Sequence, residues 1–203
     1  MSFPKAKKIK IQRYEGGLSK LSGISNPIKL SSNESALGCS PLAIKALDSV
    51  KKKIFKYPDT NTSLLKNKIS QQFNLNTNRL IIGSGSDEVI SFACQAFLKP
   101  GDEVVVPEFA FLMYGIYSQI NGAKVVRAKE NNFKTNINTI LNCISKKTKI
   151  VFLANPNNPT GSYLSKNELR TLHKKLPTRV LLLVDDAYCE YVEQKDYSSG
   201  LDI

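Results

Sequence analysis

The sequence predicts an α/β fold: a mostly parallel sheet flanked by helices. Three observations carry this. Apolar runs alternate with helical patterns from residue 79 onwards, the runs are nearly unbroken Val, Ile and Leu, and turn-forming motifs follow several of them. Strands of that composition are buried on both faces, and a parallel order with helical crossovers provides the cover. Strands are expected at 79–82, 103–106, 124–127, 149–153 and 180–184, with helices at 87–98, 109–120, 137–145 and 165–175.

Ahead of this region, residues 1–30 read as an extended arm, broken at Tyr14-Glu15-Gly16-Gly17 and again at Gly23. Residues 27–31 read as a short strand leading into Ser32-Asn33-Glu34-Ser35. Pro41 opens a helix to about residue 53, with Ser40 as N-cap and Leu42, Ile44, Ala46, Leu47 and Val50 on its apolar face. Tyr57-Pro58-Asp59 marks a turn, and Thr62 or Ser63 can cap the next helix, which runs to Phe73. The expected organisation is an N-terminal arm with the start of a small domain over 1–40, and part of a large domain over 41–203.

Composition narrows the function classes. A chain of 203 residues with 41% apolar content can bury a core. No apolar run approaches a membrane span, and the basic first twelve residues lack a signal-peptide core, so a cytoplasmic location is the default and no membrane partner is expected. Cys39, Cys94, Cys143 and Cys189 are scattered without a CxxC, and His173 is the single histidine; both argue against a metal site. The net charge of +12 is spread over the helices, with short clusters at 51–53 and 146–147 and no interleaved aromatics. It reads as solvated helix faces with weak steering of anionic substrates, not as a nucleic-acid surface.

Four motifs sit at strand ends. Ala154-Asn155-Pro156-Asn157-Asn158-Pro159-Thr160-Gly161 places three asparagines and two prolines in eight residues, where ligands bind in open parallel sheets. Gly83-Ser84-Gly85-Ser86-Asp87-Glu88 opens a helix; its glycines let backbone N–H groups approach a phosphate. It continues neither as a dinucleotide fingerprint nor as a Walker motif. Pro107-Glu108-Phe109 follows the second strand. Asp185-Asp186-Ala187-Tyr188 ends the last one and presents carboxylates suited either to a ring nitrogen or to magnesium.

In this order and spacing the motifs resemble those of the fold-type I pyridoxal 5'-phosphate (PLP) aminotransferases. The Asn33-Glu34 region and Tyr14-Glu15-Gly16-Gly17 resemble the substrate-side arm of the histidinol-phosphate aminotransferase family. Glu34 is followed by Ser35-Ala36-Leu37-Gly38 in place of the usual Asn-Pro step. The resemblance implies a PLP-dependent transferase-like large domain and PLP as cofactor. Ser84, Gly85 and Ser86 match the phosphate cup, Phe109 the aromatic stacked on the ring, and Asp185 the acid that keeps the ring nitrogen protonated. Asn158 and Tyr188 match the residues holding the ring hydroxyl, Tyr57 the tyrosine reaching the phosphate of the neighbouring subunit, and Tyr14 and Asn33 substrate contacts. The implied substrate is a phosphorylated amine, L-histidinol phosphate, exchanging its amino group with 2-oxoglutarate; the implied assembly is a homodimer. The same cradle serves aspartate and aromatic aminotransferases and L-threonine-O-3-phosphate decarboxylases; a non-catalytic protein, either a decayed remnant or a module binding PLP without the lysine, is a further reading.

The resemblance also implies parts that this sequence does not match. No residue after the Asp185 element matches the Schiff-base lysine, Lys195 sits in a charged loop, and the arginine that grips substrate has no counterpart. In the resembled fold two later strands lie between strand 180–184 and strand 79–82, so the latter is expected to lack its partner while the other four form a sheet. The expectation is a chain inactive by itself: a truncated or split gene product, or the leading part of a longer one that a C-terminal polypeptide completes.

Overall fold

The computed structural model describes residues 9, 11, 14, 16–18, 20 and 22–203. The chain divides into two compact units, one over Tyr14–Ile82 and a larger one that contains Gly83–Ile203.

The Tyr14–Ile82 unit contains α1 (Pro41–Val50), continued by a 3-10 turn over Lys51–Lys53, and α2 (Ser63–Phe73). Pro41 occupies the first turn of α1 as expected, whereas Ser40 makes no side-chain cap bond. Neither Thr62 nor Ser63 caps α2 through its side chain. Thr62 takes a left-handed conformation (φ 49°), and the Asp59 carboxylate accepts from the N–H groups of Asn61 and Ser63 at 3.0 and 2.8 Å. A longer reach and a full charge make Asp59 the better acceptor at a helix N-terminus. Residues 27–31 belong to no strand. Neither α1 nor α2 buries a residue, and Leu42, Ile44, Leu47 and Val50 of α1 are all exposed.

The larger unit is built from α3 (Ser86–Phe97), β1 (Glu103–Pro107), α4 (Leu112–Ile120), β2 (Lys124–Ala128), α5 (Ile137–Asn142), β3 (Thr148–Ala154), α6 (Lys166–Lys175) and β4 (Leu181–Asp185). The strands form one parallel sheet in the order β2-β1-β3-β4. Alternation along the strands divides the core between two faces. Val104, Val106, Ile150 and Phe152 meet Ile90 and Cys94 of α3 and Tyr114 of α4. Val105, Val151 and Leu153 meet Ile140 of α5 and Leu169 and Leu172 of α6. The covered parallel sheet expected from the aliphatic runs is therefore present.

Two expected elements differ. Residues 80–82 form no strand: a 3-10 turn over Thr77–Arg79 leads into extended backbone at Leu80 without a ladder. Extended conformation becomes a strand only through a hydrogen-bonded neighbour, and the sheet ends at β4. Helix α4 starts at Leu112, not at residue 109, because the Ala110 N–H turns back to the Pro107 carbonyl at 3.3 Å. Residues 109–111 are thereby released as a loop at the end of β1.

Helix α6 begins with a full capping box. The Ser165 hydroxyl oxygen accepts from the Glu168 N–H, and the Glu168 carboxylate accepts from the Ser165 N–H at 2.8 Å. Partial burial alone would raise the Glu168 carboxyl, but hydrogen bonds from Ser165 and the Lys134 ammonium bring it below the ordinary glutamate value. A depressed carboxyl stabilises the fold above its unfolded-state pKa and loses that contribution as pH falls through the folded value. Ser165→Ala is expected to cost about 1 kcal/mol in urea unfolding at neutral pH. That difference should shrink in acid as Glu168 becomes protonated.

Candidate functional site

The carboxyl ends of β3 and β4 and the start of α3 converge on one cleft, lined by Ser86, Phe111, Tyr114, Ala154, Asn158, Asp185, Ala187 and Tyr188. All of these residues belong to the larger unit. The β3–β4 register sets Ala154 opposite Asp185, and the Asn155 N–H extends the ladder by donating to the Asp185 carbonyl at 2.9 Å. The Asn-Pro loop and the acidic element are thus fixed to each other through the sheet.

Within the loop the three asparagines divide the work. Asn155 is fully buried and cross-braces the far side of the loop, accepting from the Leu164 N–H at 2.7 Å and donating to the Leu164 carbonyl at 3.2 Å. Asn157 donates to the Phe109 carbonyl at 3.1 Å and to the Thr160 hydroxyl at 2.9 Å. Its N–H donates to the Ser162 carbonyl, and its own carbonyl accepts from Gly161. Asn158 is left half-buried at the cleft. Gly161, at φ 70°, closes the turn in a region that favours glycine. From further along the chain, the Tyr197 hydroxyl donates to the Asn155 carbonyl at 2.7 Å.

The two adjacent acids face different surroundings. Asp185 Oδ2 accepts from the Tyr114 hydroxyl at 2.7 Å, and Oδ1 accepts from the Ala187 N–H at 3.1 Å. Asp186 instead holds the returning chain: its Oδ2 accepts from the Ser199 hydroxyl and the Gly200 N–H, both at 2.7 Å. Asp185 alone of the pair lines the cleft. No group of three or more His, Cys, Asp or Glu with metal-holding geometry occurs among the described residues.

At the glycine turn, Gly85 adopts φ 83° and α3 begins at Ser86, which lines the cleft. The Ser84 N–H donates to the Glu88 carboxylate at 2.6 Å, and the Gly85 N–H to the Gly83 carbonyl at 2.9 Å. The N–H groups left for an anion are those of the first turn of α3, which no helical carbonyl can pair.

Of the sequence-predicted residues, Ser86, Asn158, Asp185 and Tyr188 meet in the cleft. Ser84 and Gly85 lie on the adjoining turn. Phe109 does not line the cleft: it is 40% exposed and its ring tilts against Phe133 at 5.2 Å. Phe111, two residues on, presents the aromatic surface there, edge-on to Tyr114 at 5.7 Å. The loop over residues 109–111 is the cause, since the expected helix start would have put Phe109 at the strand end. Phe111 and Tyr114 are the residues that sequence reasoning missed. The signal was present in the Phe-Ala-Phe-Leu-Met-Tyr run, which offers more than one aromatic to the same end of β1. Tyr14, Asn33 and Tyr57 lie in the other unit, where all three are exposed.

Comparison with known proteins gives a consistent set of matches. Residues 25–201 match the family described as aminotransferase class I and II. The histidinol-phosphate aminotransferase of Pelagibacter ubique is 55% identical over all 203 residues, which cover 56% of its length. That of Maricaulis maris is 41% identical over 200 residues, covering 55% of its length. The chain therefore spans about half the length of the curated relatives it matches. Among solved structures, a histidinol-phosphate aminotransferase from Sinorhizobium meliloti in complex with pyridoxal-5'-phosphate superposes with a TM-score of 0.78 at 23% identity. The match covers 82% of this chain and 46% of that one, and at this identity it shows the fold. A putative histidinol-phosphate aminotransferase from Erwinia carotovora atroseptica gives a TM-score of 0.78 at 26% identity, over 84% of this chain and 50% of that one.

Proposed function

Since the chain belongs to the class I and II aminotransferase family, we propose that its cleft is the ring- and phosphate-binding part of a PLP site. In the full-length enzyme, on this reading, the site exchanges an amino group between L-histidinol phosphate and 2-oxoglutarate/glutamate. The observation that carries it is the convergence of Ser86, Phe111, Asn158, Asp185 and Tyr188 on one cleft.

The groups present fit PLP. Asp185 is a carboxylate for the ring nitrogen, and Asn158 and Tyr188 offer an amide and a phenol for the ring hydroxyl. Phe111 provides a face for the ring, and the first-turn amides of α3 offer N–H donors and a favourable dipole to the phosphate. When bound, PLP supplies the electron sink for bond breaking beside an amine nitrogen. The chain's own contribution would be to present the Phe111 face, the Asn158 amide and the Asp185 carboxylate to the ring.

No lysine is among the residues lining the cleft. On this reading the lysine that turnover needs lies outside the cleft described here, in a segment that completes the sheet. Strand β4 supports that completion. Its Leu181-Leu182-Leu183-Val184 run has the composition of a central parallel strand, yet it lies at the sheet edge with side chains only partly covered. The exposed apolar residues of α1 support a second copy of the chain as partner, as does the exposed Tyr57, assigned to the phosphate of the neighbouring subunit. No helix among the described residues is long and apolar enough to cross a membrane.

The test is absorbance of the purified chain with added PLP, before and after borohydride, followed by peptide mapping. A saturable spectral change with no reduced adduct is the expected result. A specific adduct on one lysine overturns the non-covalent reading, and the absence of any saturable change overturns the cofactor reading. Supplying the remainder of the Pelagibacter relative in trans is expected to produce transamination of histidinol phosphate. Soluble, associated halves that bind PLP and stay inactive would overturn the proposed reaction.

A further inference from the structure

Tyr114 lies in α4, 71 residues before Asp185 in sequence, yet its hydroxyl ends 2.7 Å from the Asp185 carboxylate. The ring is 1% exposed, stacked on Phe152 with centroids 4.9 Å apart and planes 5° from parallel, and met edge-on by Phe111. Packing therefore leaves the phenol no alternative orientation. Burial first, and then the negative charge of Asp185, push its ionisation far above the ordinary tyrosine value. The hydroxyl remains a hydrogen-bond donor, and the atom it donates to is a carboxylate oxygen.

A buried tyrosine needs some acceptor, and a backbone carbonyl is the common choice. Here the acceptor is the one carboxylate among the residues lining the cleft. A phenylalanine would fill the same volume against Phe152 and Phe111. The hydroxyl's particular contribution is thus to Asp185: with Ala187 N–H on Oδ1 and Tyr114 on Oδ2, both oxygens are fixed in direction.

Resting on the cofactor reading above, we infer that Tyr114 is a positioning residue which, through Asp185, aims a carboxylate at the protonated nitrogen of a pyridine ring. The residue does not touch the ring nitrogen itself. It acts by holding the direction of a group that does reach the ligand, as the hydrogen-bond partners of metal-binding histidines do.

The test uses pyridoxamine 5'-phosphate, which needs no lysine to bind, and its deaza analogue, in which the ring nitrogen is replaced by CH. Affinities of both are measured by fluorescence titration for the wild-type chain, Y114F, D185N and Y114F/D185N, with thermal melting to verify folding. The expected result is a loss of about tenfold in the affinity of Y114F for pyridoxamine phosphate. Its affinity for the deaza analogue should be unchanged, and Y114F should have no further effect in the D185N background. A merely structural tyrosine would lower both affinities alike, and that outcome overturns the inference while the cofactor reading stands. A wild-type chain that binds neither compound, or does not distinguish them, overturns the cofactor reading of Asp185 and this inference with it.

Discussion

Phe152→Ala is expected to destabilise the chain by about 3–5 kcal/mol, the largest single effect on stability that we predict. Phe152 lies near the middle of β3, fully buried, with β1 and β4 paired to that strand on either side. Its ring packs within the cluster formed by Val104, Val106 and Ile150 of the sheet and Ile90 and Cys94 of α3, and is stacked face to face with Tyr114. Truncation removes apolar surface from the core and leaves a cavity that cannot collapse easily, because β1, β3 and β4 are locked in register around it. The penalty is large against the roughly 5–15 kcal/mol by which single domains are stable. Urea unfolding followed by circular dichroism measures it. Phe152→Leu should cost distinctly less, since it keeps much of the volume and loses mainly the aromatic stacking. Equal losses for the two variants would mean that the site tolerates collapse and that the stacked ring contributes little.

The same residue shows what could be read from the sequence. Lys149-Ile150-Val151-Phe152-Leu153 announces a strand buried on both faces, and the strand ends are nearly where the aliphatic run begins and ends. Local pattern is sufficient there because every side chain in the run needs cover. Leu80 shows the limit: its backbone is extended as the pattern suggests, but strand identity depends on a neighbour that no local pattern encodes. Which aromatic lines the cleft is hidden from local pattern for a related reason. Both Phe109 and Phe111 suit the end of β1, and only the turn from Ala110 to Pro107 decides which of them reaches the cleft. At the glycine turn the motif was legible, but the Glu88 carboxylate that takes up the Ser84 N–H was not, since it depends on a side chain folding back by one helical turn. Likewise, three asparagines in one loop look equivalent in sequence. Burial and tertiary partners make Asn155 and Asn157 braces and leave Asn158 at the cleft.

The adjacent acids lead to the largest expected effect on binding. Asp185→Asn should weaken pyridoxamine 5'-phosphate by tenfold to about a hundredfold, with little change in melting temperature. The magnitude follows from loss of a hydrogen bond to a charged partner, about 1.5–3 kcal/mol, at about 1.4 kcal/mol per factor of ten. Stability should be nearly unaffected because the amide oxygen can still accept from the Tyr114 hydroxyl or the Ala187 N–H. Asp186→Asn should behave in the opposite way. Its carboxylate secures Ser199 and Gly200 at the end of the chain, so the variant should lower the melting temperature and leave the affinity close to wild type. Asp185 is the last residue of β4 and Asp186 the first beyond it, and tertiary partners give the two chemically identical neighbours different tasks. Measured together, the pair also separates the cofactor reading from a magnesium reading of the same motif. An acidic cation site would lose affinity for the metal when either carboxylate is neutralised, whereas a ring-nitrogen site depends on Asp185 alone. Comparable losses of pyridoxamine phosphate affinity in both variants would remove the distinction drawn between them and reassign Asp186 to the cleft.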